Sequence, residues 1–202
     1  GCTDSAACNY DSSATEEDGS CDFCSCGEPL SGYSLQVEEH AVNGIAGMTT
    51  YRFYIGMESS EDFLSAMYGS LQNPLAVNTS DGFYNDAFAS GATADGLNAA
   101  LFGFFPTLAF DSWVTIGSAD SNGSGGVQSV GMEAYWDGFN GTGFTVNNFT
   151  GASWFIIPGS SVDAISGDDQ RVLIAQLTTE GILDLVVNVQ YDNANGETFS
   201  ED

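Results

Sequence analysis

The chain has 202 residues, with 28 Asp+Glu against 2 Lys+Arg and 1 His, for a formal net charge of −26. It has no lysine, only Arg52 and Arg171, so it lacks the cations that displace phosphate counterions; this excludes nucleic acid as a partner and disfavours anionic membrane surfaces. A 43% hydrophobic and 12% aromatic composition supplies a core, yet no apolar run reaches the roughly 18 residues that span a bilayer, so direct membrane insertion is not expected.

Taken in chain order, residues 1–26 come first and hold every cysteine: Cys2, Cys8, Cys21, Cys24 and Cys26. An odd set allows at most two internal pairs and leaves one thiol over, to be free or to pair with a neighbouring module or another chain. So short a segment builds no core and needs disulfides or a metal for order. A Cys8–Cys21 bridge would close about a dozen residues, worth about 3 kcal/mol in the chain-entropy account. Cys21 and Cys24 also form a C-x-x-C, but a zinc site wants a second ligand pair and His40 is the sole histidine, so disulfides are preferred. Between the cysteines lie Asp4, Asn9, Asp11 and Asp18. Calcium takes such oxygens, with backbone carbonyls, at about 2.3–2.6 Å. Calcium is thus the expected cofactor, with a solvated acidic loop as the alternative; EF-hand spacing is absent.

The pattern G-C-x-D-x-x-A-C-N-Y-D-x-x-A-x-x-x-D-G-S-C over residues 1–21 resembles a short repeat of large secreted surface proteins of marine bacteria, algae and large viruses. It is also loosely similar to thrombospondin type 3 calcium repeats. The resemblance implies an extracellular, secreted or surface-attached protein and a calcium-loop module. Such repeats usually occur in tandem, and only one is present here. A chain that opens inside such a module is expected to be a processed form or a piece of something longer.

Residues 27–34, GEPLSGYS, read as a linker, which divides the chain into a cysteine-rich module and linker at 1–30 and a β domain at 31–202. Alternation then begins: Tyr33, Leu35 and Val37 share one face, and Gln36, Glu38 and His40 the other. The run 48–57, MTTYRFYIGM, is the clearest strand. Arg52 lies within it and is expected to pair with an acid beside Tyr54, the alternative being a clamp for a ligand carboxylate. Strands are also predicted over 63–68, 75–79, 108–117, 127–136 and 153–157, with a helical turn within 98–105. In 127–136, Val130, Met132, Ala134 and Trp136 are predicted to face inward. The runs 171–177 and 183–191 flank Thr178-Thr179-Glu180-Gly181 and read as a hairpin, and the chain after Asn193 reads as polar with no closing element. Short strands separated by Gly/Asn/Ser turns predict an all-β fold, a jelly-roll-like antiparallel β-sandwich behind a small disulfide-rich calcium-loop module. The segments TTYRFYIGM, LFGFFPTLAFDSWVTIG and VLIAQLTTEGILDLVVNVQY resemble a domain found beside such repeats that has no established activity.

No nucleophile elbow, phosphate-binding glycine loop or histidine cluster occurs, so a non-catalytic role is expected. A carboxylate pair for glycoside hydrolysis would show only in geometry. The leading expectation is a structural module of a surface assembly, possibly a filament or fibre, partnered by copies of itself or neighbouring modules. The alternative is glycan binding and adhesion, for which Tyr135, Trp136 and Asp137 form the best local cluster of aromatic and acid. Asn78, Asn122, Asn140 and Asn148 match the N-glycosylation acceptor, as chance matches also would in so Asn/Ser/Thr-rich a chain.

Overall fold

A computed structural model describes residues 3, 13–16 and 32–201. All five cysteines and the predicted calcium ligands Asp4, Asn9, Asp11 and Asp18 lie outside the described residues. The strands are β1 (Ser34–Val42), β2 (Thr49–Gly56), β3 (Phe63–Gly69), β4 (Leu75–Thr79), β5 (Trp113–Val114), β6 (Gln128–Val130), β7 (Gly143–Val146), β8 (Ala152–Phe155), β9 (Arg171–Thr179), β10 (Leu183–Val186), β11 (Val189–Asp192) and β12 (Thr198–Glu201). They form an all-β sandwich of antiparallel sheets. One sheet runs β1-β2-β9-β5, a second β10-β4-β7, and a third β12-β11-β3-β8-β6.

The register shows that the second and third sheets continue one another. Following β10 into β11, partners descend from Thr79–Ala76 on β4 to Met67–Phe63 on β3. Following β7 into β8, they descend from Asn78–Leu75 to Gly69–Ala66. Three long strands are therefore broken at one level, and residues 70–74 and 147–151 loop out there. Asn188, buried at the break, donates its side-chain amide to the carbonyls of Tyr68 (3.0 Å), Asn73 (3.1 Å) and Pro74 (3.0 Å), closing the gap that the missing ladder leaves. Gly151 ends the neighbouring loop at φ 71°, where a Cβ would sit 2.7 Å from the Gly69 carbonyl oxygen.

Between the layers, Phe53, Ile55, Val172, Ile174 and Leu177 meet Leu64, Met67, Val77, Phe144, Trp154 and Val189 in one core. The alternation of β1 and β2 holds: Leu35 opposes Ile55 and Val37 opposes Phe53 on the core side, while Glu38 opposes Arg52 on the other. The outer face of the first sheet is half covered. Tyr54, Trp113 and Leu173 pack there against Ala94, Leu97 and Leu108 from a long excursion containing the 3-10 turns Ala94–Gly96, Ala99–Leu101 and Pro106–Phe110.

Four sequence readings are corrected. Residues 171–177 and 183–191 do not form a hairpin, because β2 and β5 occupy both edges of β9; the chain crosses to the other layer, where β10 pairs with β4. The predicted strand 108–117 opens in a 3-10 turn started by Pro106 that ends at Phe110, and only Trp113–Val114 join the sheet. The predicted strand 127–136 keeps only Gln128–Val130; Val130 and Ala134 are exposed, and Trp136 begins a 3-10 turn, Trp136–Asn140. The tail after Asn193 does close: the Asn193 carboxamide oxygen accepts the Asn195 and Glu197 N–H groups, shaping a turn that returns β12 onto β11.

Asn188→Ala removes a donor from the Tyr68, Asn73 and Pro74 carbonyls, of which Asn73 keeps the Ser70 N–H, and is expected to lower the unfolding free energy by about 1–2 kcal/mol with little change in m, measured by urea denaturation.

Candidate functional site

The turn Trp136–Asn140 lies over residues 85–92 and Asp111, and a cleft of about 190 Å³ opens between them. Trp136, Asp137 and Asn140 line it from one side, with Asn85, Asp86 and Asp111 on the other. The half-buried Trp136 ring is held as a fixed wall, meeting Phe144 edge-on and Trp154 at a tilt, each with centroids 5.9 Å away. The Asn85 amide donates to the Phe139 carbonyl and ties the two sides together. Ordinary small-molecule pockets run to roughly 300–1,000 Å³, so this cleft suits one small polar group rather than an extended ligand.

Its electrostatics are set by two buried carboxyls. The Asp111 carboxyl is pushed up to about 7, chiefly by burial and also by the neighbouring Asp86 charge, against N–H donation from Asp86 and Ser112. For Asp86, burial pushes upward but is outweighed by hydrogen bonds from Thr107, the Phe88 N–H and Tyr84, so its carboxyl is held below its ordinary value. Asp86 Oδ2 accepts from Tyr84 (2.9 Å) and Thr107 (2.7 Å), and its Oδ1 accepts the Phe88 N–H (2.9 Å). Asp111 Oδ1 accepts the Asp86 N–H at 2.7 Å. Both oxygens of Asp86 are thus engaged within the protein. The pair fastens residues 84–88 to residues 107–112 within the excursion.

Of the predicted glycan-binding cluster, the cleft gathers Trp136 and Asp137 but not Tyr135, whose hydroxyl accepts the Asn148 amide. Trp113 and Trp154 are core residues. Among the predicted glycosylation acceptors, Asn78 sits in β4 with its amide on Thr145 (3.1 Å), while Asn122, Asn140 and Asn148 are exposed in turns. Asn148 also folds back onto its own chain, its carboxamide oxygen accepting the Thr150 and Gly151 N–H groups. Asp86, Asp111 and Asn85 were missed from sequence, since no local pattern marks residues that meet across 25 positions. No group of three or more His, Cys, Asp or Glu that could hold a metal occurs among the described residues. Arg52 lies beside Tyr54 as expected but is paired with no acid among the described residues: its Nε donates to Gln176 Oε1 (3.0 Å), and Glu38 pairs with Arg171 instead (3.3 Å).

No protein-family model, curated protein or solved structure matches the chain. No helix among the described residues is long and apolar enough to cross a membrane.

The raised Asp111 carboxyl binds its proton more tightly folded than unfolded. Its contribution to stability is full below about pH 4 and is lost as pH rises through about 7. Asp111→Asn keeps the acceptor without the charge. Its melting temperature relative to wild type is expected to climb from about pH 5 to about pH 8 in parallel thermal melts.

Proposed function

We propose that the chain is a non-catalytic structural module of a secreted or cell-surface assembly, a filament or fibre included, built through contacts with its own copies or neighbouring modules. The observation that carries this reading is the state of the sheet edges. β1, β6, β10 and β12 each end a sheet, and each presents a large apolar side chain to solvent: Val42 (56% exposed) and Leu35, Val130 (60%), Val186, and Phe199. Soluble monomers blunt such edges with lysine or other charge, proline or a bulge; β1 carries Glu38, Glu39 and a bulge, β10 Asp184 and β12 Glu201, whereas β6, Gln128–Val130, carries no charge, proline or bulge. An edge such as β6, with an exposed apolar side chain and no charge, favours strand addition by another chain. The resemblance of residues 1–21 supports an extracellular site, calcium held by Asp4, Asn9, Asp11 and Asp18, and disulfides among Cys2, Cys8, Cys21, Cys24 and Cys26, with the odd thiol available to a neighbour.

Sedimentation velocity and electron microscopy over a range of concentrations test this. Association in calcium, weakened by EDTA or reductant, is expected; a monomer under every condition overturns the reading.

The cleft favours glycan binding as a second reading, because Trp136 gives a fixed aromatic wall beside Asp137 and Asn140. Trp136→Ala is expected to reduce glycan-array binding at least about tenfold while the far-ultraviolet spectrum is unchanged. Wild-type protein that binds no glycan removes this reading.

A further inference from the structure

Two arginines and one histidine are the only basic side chains among 202 residues, and the fold brings all three to one place. Arg52 on β2 opposes Glu38 on β1 and Gln176 on β9, all on the outer face of the first sheet. Arg171 reaches the same face, its guanidinium carbon 4.0 Å from the Tyr54 ring centroid. His40 occupies the bulge between Glu39 and Ala41, its Nδ1 3.8 Å from Glu38. Burial, and secondarily the Arg52 charge, lower its basicity against the opposing pull of Glu38.

Within this group the one nearby carboxylate is committed. Glu38 is the cross-strand neighbour of Arg52 but pairs with Arg171 and His40. Arg52 has no ion-pair partner among the described residues, in a chain with 28 carboxylates. Its fork is nevertheless fixed in place. Nε donates to Gln176 Oε1, and fully buried Gln176 is itself held through Nε2 by the carbonyls of Ala109 (3.0 Å) and Asp111 (2.9 Å). Tyr54 also hydrogen-bonds with Arg52, and a planar guanidinium with five N–H donors held by these two contacts keeps further donors that match a carboxylate. The group also borders the open edge of β1.

We propose that this face, centred on Arg52 and continued along the β1 edge, docks a carboxylate-bearing segment of a second copy of the chain. Charge complementarity selects that occupant. Every other copy carries a net charge of −26, and this is where all the chain's basic side chains gather. Long-range repulsion between copies is screened within about 8 Å at physiological ionic strength, while a desolvated Arg–carboxylate contact is screened much less. The inference rests on the assembly reading above and adds where, and through which residue, copies meet.

The test is sedimentation velocity of the full chain as wild type, Arg52→Gln, Arg52→Glu and Arg52→Lys, with thermal melts to check folding. Arg52→Gln and Arg52→Glu are expected to weaken association at least about tenfold at low salt, and Arg52→Lys less. Wild-type association is expected to hold or tighten as sodium chloride rises from about 0.05 to 0.5 M, because salt screens the repulsion between copies more than the desolvated Arg52 contact, a measurement that stands even if a variant fails to fold. Association unaffected by Arg52→Gln and by Arg52→Glu overturns docking at this face and leaves the assembly reading intact. A wild-type monomer throughout overturns the assembly reading. Titration with poly-L-glutamate, followed by the Arg52 Nε–H resonance, then decides the site: a saturable shift supports carboxylate docking, and no shift overturns it.

Discussion

The side chain of Gln176 joins parts of the molecule that would otherwise be independent. It is completely buried at the centre of β9, where a polar group without partners would cost about 1–3 kcal/mol. Its partners are Arg52 on the neighbouring strand and the carbonyls of Ala109 and Asp111 on the covering excursion. One carboxamide therefore sets the Arg52 guanidinium, anchors the end of residues 84–112 to the sheet, and places Asp111 at the cleft. The cationic face and the acidic cleft share this support.

The need for such a side chain follows from the position of β9. Residues 172–179 are all buried, with the core on one face and the excursion on much of the other. A strand covered on both faces must satisfy its polar side chains internally, and this one does. Thr178 meets Thr50 at 2.7 Å, and Thr179 meets Thr79 at 2.9 Å and the Gly82 carbonyl at 2.7 Å. The Thr179 contacts hold the crossing by which the chain leaves the first sheet for β10. The acids serve similar local ends. Asp62 accepts from Tyr33 and from the Glu58, Ser59 and Ala194 N–H groups, tying the start of β1 to the final turn. Asp163 gathers the Ser118 and Ser124 hydroxyls and the Ser124 N–H, fastening the glycine- and serine-rich loop of residues 118–125. In a chain with so few cations, buried carboxylates are satisfied by hydroxyl and backbone donors instead of salt bridges.

Outside these fastenings the molecule leaves much unpaired. Apolar side chains stand exposed on β1, β6, β10 and β12, and Phe149 is 88% exposed on the loop where the second layer breaks. These exposed side chains are the surface on which the proposed contacts between copies would form.

The sequence by itself determined the all-β class and the faces of β1 and β2, because a period of two fixes which side chains share a side whatever the partners are. It also marked Trp136 and Asp137, since adjacent residues in a turn stay together. It did not determine where β10 pairs, because a glycine-containing turn between two apolar runs reads as a hairpin until both edges of β9 are known to be occupied. It placed a helical turn within 98–105, where Ala99–Leu101 forms one, but not the turns Ala94–Gly96 and Pro106–Phe110 on either side, whose apolar residues gain their meaning from the sheet face they cover. Nor did it gather Arg52, Arg171 and His40, or Asp86 and Asp111. Those groups are brought together by pairings between residues up to 130 positions apart, as Thr49 with Thr179 shows, and only the closed sandwich makes them neighbours.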